Sequence, residues 1–90
     1  LHVCLEAAGV GPGDEVIVPP YSMSASAMAA VMCRAVPVFV DIEKDYFCLD
    51  ASKVEAAITP RTKAIVAVNL FGLPADLHRL RAIADKHKLC

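Results

Sequence analysis

Residues able to hold or activate a ligand fall in three short stretches of this chain. The first is Pro19 to Ser26, where hydroxyls at Ser22, Ser24 and Ser26 follow the apolar run Val16-Ile17-Val18. N–H groups that open a helix, joined by such hydroxyls, suit an anion or a polar ring substituent; ordinary capping by one of these serines is the simpler reading. The second is Asp41-Ile42, a carboxylate at the end of an apolar stretch, which either does chemistry or anchors a turn. The third is Asn69-Leu70-Phe71-Gly72. An asparagine there either hydrogen-bonds a ligand or satisfies loop backbone.

Other familiar constellations are missing from the spacing. Cys4, Cys33, Cys48 and Cys90 form no Cys-x-x-Cys pair, and no histidine stands at ligand spacing, so no metal is expected. Each cysteine lies in or beside an apolar stretch and reads as a buried, reduced thiol of a cytoplasmic protein. His2 belongs to one helix, and His78 and His87 to another; all three read as solvated helix-face side chains. There is no nucleophile elbow. Gly9-x-Gly11-x-Gly13 has a helix before it and a strand after it, the reverse of a dinucleotide loop, so it reads as a turn.

The elements that must position these groups alternate. Leu1 to Ala8 reads as a helix closed by Gly9, and Glu15 to Val18 as a buried strand stopped by Pro19-Pro20. A helix of small residues runs from Ser22 or Ser24 to Cys33, followed by a second strand over Val36 to Ile42. Asp50 caps a short helix over 51–57, with Ser52 and Glu55 offering a competing capping box. A third strand spans Lys63 to Val68, and Pro74 and Asp76 open a last helix. Leu77, Leu80, Ile83 and Ala84 share its inner face, and Lys86, His87 and Lys88 fall in its last turn, where the helix dipole favours cations. This order predicts parallel strands with helical crossovers, an α/β class. Ligands in such sheets gather beyond the carboxyl ends of the strands, where all three stretches lie.

Composition closes off several other classes. An apolar fraction of 57% excludes a disordered segment. A net charge of −1 leaves no basic footprint for nucleic acid. No apolar run is long enough to cross a bilayer, and the first residues lack a secretory pattern. Ninety residues are marginal for a three-layer architecture. With Leu at the start and an apolar run opening at Leu89-Cys90, the chain is expected to be part of a larger domain, truncated at both ends.

Five strings carry more than this. Gly9-Val-Gly-Pro-Gly-Asp-Glu-Val-Ile17 precedes Pro20-Tyr-Ser-Met-Ser-Ala-Ser26; then come Val36-Pro-Val-Phe-Val-Asp-Ile42, Ala56-Ala-Ile-Thr-Pro-Arg-Thr-Lys-Ala-Ile65 and Val68-Asn-Leu-Phe-Gly-Leu-Pro-Ala-Asp76. In this order the chain resembles the DegT/DnrJ/EryC1/StrS family of pyridoxal-phosphate-dependent sugar aminotransferases over essentially its whole length. The resemblance implies a three-layer α/β/α arrangement, part of the fold-type-I large domain, in a protein that is usually a homodimer. It also implies transfer of an amino group from glutamate onto a nucleotide-linked keto sugar, for polysaccharide, lipopolysaccharide or antibiotic sugars. Some relatives use the scaffold for dehydration or without the lysine, so a non-catalytic homologue that binds a sugar nucleotide or a partner subunit is the rival expectation.

The resemblance also assigns residues. Met23 aligns with the family's ring-stacking side chain, a place commonly aromatic, and a thioether can cover a π face. Ser26 aligns with a Ser or Thr near the cofactor, and Asn69 with a His or Asn at the next strand end. Tyr21 and Ser22 border the same edge and are expected to face substrate. Lys44, Lys53, Lys63, Lys86 and Lys88 match no Schiff-base position, so no catalytic group is expected in these ninety residues.

Overall fold

The computed structural model describes residues 1–90, and in it the sheet is built from three short parallel strands. They are β1 (Glu15–Val18), β2 (Val36–Phe39) and β3 (Thr62–Ile65), in the order β2-β1-β3. Helix α1 (His2–Ala7) precedes β1; α2 (Ala25–Met32) and α3 (Ala51–Val54), the latter continued by a 3₁₀ turn over Glu55–Ala57, supply the two crossovers; and α4 (Leu77–His87) follows β3.

Alternation along the central strand explains the layers. Val16 and Val18 point to one face and pack with Leu5, Ala29, Ala30 and Cys33 of α1 and α2. Ile17 points to the other and packs with Leu49, Val54, Leu80 and Ile83 of the α3 and α4 side. Each face buries an apolar surface, so the run Glu15-Val-Ile-Val18 is buried throughout. The expected three-layer α/β/α arrangement is present.

Several boundaries shift for physical reasons. β2 stops at Phe39 rather than Ile42, because Ile42 turns away to pair antiparallel with Leu49. Pro37 sits in this edge strand without harm. Val36 N–H donates to the Asp14 carbonyl and Val40 N–H to that of Val18, so by alternation the missing Pro37 donor falls on the outer edge. β3 ends at Ile65 instead of Val68, although Val66 N–H still donates to the Ile17 carbonyl. Cys90 lies along its far side: its N–H donates to Lys63 and its carbonyl accepts from Ile65, the parallel pattern.

The helix ends settle the open caps. Asp50 accepts from Ser52 N–H, so the Ser52–Glu55 capping box does not form. Asp76 accepts from Arg79 N–H at the start of α4. Leu77, expected on the inner face of α4, is half-exposed, while Leu80, Ile83 and Ala84 are buried. Lys88 lies just past the helix as a left-handed cap, with Lys86 and His87 in the last turn. Gly9 takes the left-handed turn expected of it, with φ of 78°.

Two expectations about side chains fail. Cys33 and Cys48 are buried free thiols, but Cys4 and Cys90 are exposed. Neither His2 nor His87 is a freely solvated side chain, since both are partly buried and pair with Glu6 at 3.1 Å and Glu55 at 2.9 Å respectively, while His78 is exposed as expected.

One buried carboxylate ties the sheet together. Glu15 accepts from the Thr59 hydroxyl and from Arg61 Nε at 3.0 Å, and these bonds hold its carboxyl below the usual range. No helix is long and apolar enough to cross a membrane.

Candidate functional site

Parallel strands deliver all their exit loops to one side of the sheet. Here the three loops meet in an aromatic cluster. Tyr21, after β1, lies 5.7 Å by ring centroid from Phe47, after β2, and 6.3 Å from Phe71, after β3. Phe47 and Phe71 both hold left-handed backbone, at φ of 59° and 52°. Such a conformation costs about 1–3 kcal/mol for a residue other than glycine. Backbone hydrogen bonds help to hold both loops, from Phe47 N–H to the Glu43 carbonyl and from Leu73 N–H to that of Leu70. The sequence reading singled out Tyr21 but missed its two partners, because residues 21, 47 and 71 share no local spacing. Gly72 beside Phe71 was the one local signal of an unusual backbone.

Behind Tyr21 the chain enters α2 through a pair of hydroxyls. Ser22 Oγ and Ser26 Oγ are 2.8 Å apart, and Ser26 is only 5% exposed. Ser24 is the N-cap residue, yet no serine side chain caps the helix. The capping explanation for these serines thus fails. A buried hydroxyl needs a partner, and Ser22 provides it.

Met23 projects beside this pair and is 81% exposed. It lines a shallow groove with Pro19, Ser22, Met28 and Phe39. Asn69 does not line that groove; it lies beyond the end of β3, on the opposite side of β1. Its Oδ1 accepts from Ala75 N–H at 3.0 Å, which closes the 69–75 loop and leaves the amide nitrogen without a bond inside the chain. The structure therefore joins Tyr21, Ser22, Met23 and Ser26 in one segment, with Asn69 on the neighbouring strand exit.

Asp41 resolves toward a turn anchor. Its carboxylate receives Lys53 Nζ at 3.0 Å and Ile42 N–H at 2.9 Å, and the lysine bond above all holds its pKa below the usual carboxylate value. Lys53 is also within 3.5 Å of Asp50, and Lys86 is engaged by Glu55.

The chemistry of this donor set fits a flat, hydrogen-bonding heterocycle. The Ser22–Ser26 pair, bonded to each other, can spare at most one hydroxyl proton outward, the Asn69 amide nitrogen can donate, a thioether offers an apolar cover, and no ion pair intrudes among them.

Comparison with known proteins identifies a family for the chain. The model of the DegT/DnrJ/EryC1/StrS aminotransferase family matches residues 1–90. The chain is 58% identical over 87 residues to an L-glutamine:2-deoxy-scyllo-inosose aminotransferase of Streptomyces kanamyceticus, covering 97% of this chain and 20% of that protein. It is 49% identical over 89 residues to a UDP-N-acetyl-3-dehydro-alpha-D-glucosamine 3-aminotransferase of Acidithiobacillus ferrooxidans, covering 99% and 24%. NtdA from Bacillus subtilis, solved with bound cofactor PMP, superposes at a TM-score of 0.95 and 45% identity, over 98% of this chain and 20% of that one. The PLP form of the putative sugar aminotransferase Spr1654 from Streptococcus pneumoniae gives 0.89 and 41%, over 97% and 22%. The chain thus spans about a fifth to a quarter of the length of these relatives.

Proposed function

Because the chain belongs to the DegT/DnrJ/EryC1/StrS aminotransferase family, we propose that it forms part of the large, cofactor-binding domain of a sugar aminotransferase. Pyridoxal phosphate is the cofactor of that family. When bound, it supplies an electron sink for moving an amino group. The reading assigns these ninety residues a share in holding that cofactor and none in proton transfer. Met23 covers one ring face, one hydroxyl of the bonded Ser22–Ser26 pair and the Asn69 amide donate to the rim, and Tyr21 with Ser22 borders the substrate.

The observation that carries the reading is the buried Ser26 hydroxyl beside an exposed Met23, at the carboxyl edge of a parallel sheet. Glutamate is the proposed amino donor and a nucleotide-linked keto sugar the acceptor, within a cytoplasmic homodimer. A UDP-linked substrate in the name of one relative supports the acceptor, while another relative's name specifies L-glutamine. Both donors therefore belong in the assay.

The test uses the full-length protein. Its visible absorbance and its retention of pyridoxal phosphate on dialysis are measured for the parent, Ser26→Ala and Ser52→Ala. Ser26→Ala is expected to weaken retention by about 2- to 12-fold, the worth of one hydrogen bond. Ser52→Ala, remote from the edge, leaves retention unchanged. Equal losses from both would overturn the assigned edge. A colourless protein that cannot be reconstituted favours the non-catalytic homologue.

A further inference from the structure

One cluster of ligating side chains stands apart from the carboxyl edge and takes no part in the site described above. His2 and Glu6 are four residues apart on α1, so they share a face, and His2 Nε2 stands 3.1 Å from Glu6 Oε1. Cys33, which ends α2, is packed against the same turn, with its Sγ 4.0 Å from the His2 carbonyl oxygen. The imidazole nitrogen, the carboxylate oxygen and the sulfur all lie within 4.8 Å of one another.

A tetrahedral ion bound at about 2.0–2.3 Å holds its ligand atoms roughly 3.3–3.8 Å apart. The trio is therefore within about an ångström of ligand geometry. The adjustment falls on side chains that can make it, since the His2 and Glu6 side chains are 35% and 61% exposed. The sulfur is fixed, because Cys33 is buried in the core. Charge also matches: a thiolate and a carboxylate with a neutral imidazole offset a divalent cation. A sulfur and an imidazole select zinc or cobalt over magnesium or calcium, which prefer all-oxygen shells.

We propose that His2, Glu6 and Cys33 form a binding site for a divalent, thiophilic transition-metal ion such as zinc, with the fourth position left to water. Bound there, the ion ties the six-residue α1 to the end of α2. The proposal is independent of the cofactor reading, because neither Ser26 nor Asn69 takes part.

Metal-stripped full-length protein is titrated with Co²⁺ and then with Zn²⁺, and difference spectra and metal content after dialysis are recorded. One equivalent of cobalt with a sulfur-to-metal charge-transfer band, displaced by zinc, is expected. Cys33→Ser removes the band, while Cys4→Ala, at an exposed thiol on α1, keeps it. His2→Ala and Glu6→Gln each weaken cobalt binding by about tenfold or more. These two variants decide the matter even where a core change at Cys33 prevents folding, and circular dichroism confirms that they fold. A folded parent that binds no cobalt, or a His2→Ala/Glu6→Gln double variant that binds it unchanged, overturns the site.

Discussion

Asn69 shows how one side chain can answer a question that its sequence position leaves open. Its oxygen is committed to the buried Ala75 N–H, so it is at least a loop-closing residue. Asn69→Ala strands that donor, and a loss of about 1–3 kcal/mol in urea denaturation is expected. Asn69→Asp keeps an acceptor oxygen and is expected to cost less, while removing the amide nitrogen assigned to the cofactor. A stable Asn69→Asp protein with impaired pyridoxal phosphate retention would separate the two roles. Ser26 is a cleaner probe still. Its one hydrogen-bonding partner, Ser22, is only partly buried and can turn to water when the hydroxyl is lost.

At the scale of elements, most of the arrangement was legible because each local signal acts through near neighbours. Asp50, Asp76 and Gly9 each perform the capping or turn chemistry that their residue types dictate. Asp50→Ala is expected to cost about 0.5–2 kcal/mol of stability in denaturant, more than Ser52→Ala, since Asp50 holds the cap. What the sequence hid depends on distant residues. Glu55 could have closed a capping box, but it receives His87 and Lys86 from α4 instead. The His2–Glu6–Cys33 trio spans residues 2 to 33, and the Tyr21–Phe47–Phe71 cluster spans three loops. No spacing rule connects such positions before the sheet forms.

The Glu55 pairing has a pH signature. Its hydrogen bond from His87, then that from Lys86, lowers its pKa from 4.5 to about 2. A depressed folded-state pKa stabilises the fold above the unfolded value, and that contribution fades as pH falls through the folded one. Stability is therefore expected to decline from about pH 4.5 toward pH 2. Glu15, also depressed by Thr59 and Arg61, acts in the same direction. Glu55→Gln should flatten the acid slope, as read from the midpoint of thermal unfolding at successive pH values. An unchanged slope would show that the α3–α4 pairing carries none of it.

For the molecule as a whole, the two cores meet through a sheet only three strands wide, and Ile17 lies at its centre with no exposed surface. Ile17→Ala is expected to cost about 2–5 kcal/mol, since it removes a fully buried side chain and leaves a cavity. The same central placement puts the candidate site at an edge shared by all three exit loops, and the proposed reading gives none of the lysines the Schiff-base role. The ninety residues alone are accordingly expected to show no transamination with either donor; measurable turnover would contradict the assigned roles.

Pro37 has a consequence for how this molecule meets copies of itself. On the outer margin of β2, the Ala35 N–H is already spent on the Ala30 carbonyl, and Pro37 has none to offer. By alternation, only Phe39 can present a donor there. A stray strand would find too few rungs to zip onto, so this margin resists the edge-to-edge templating that seeds aggregates.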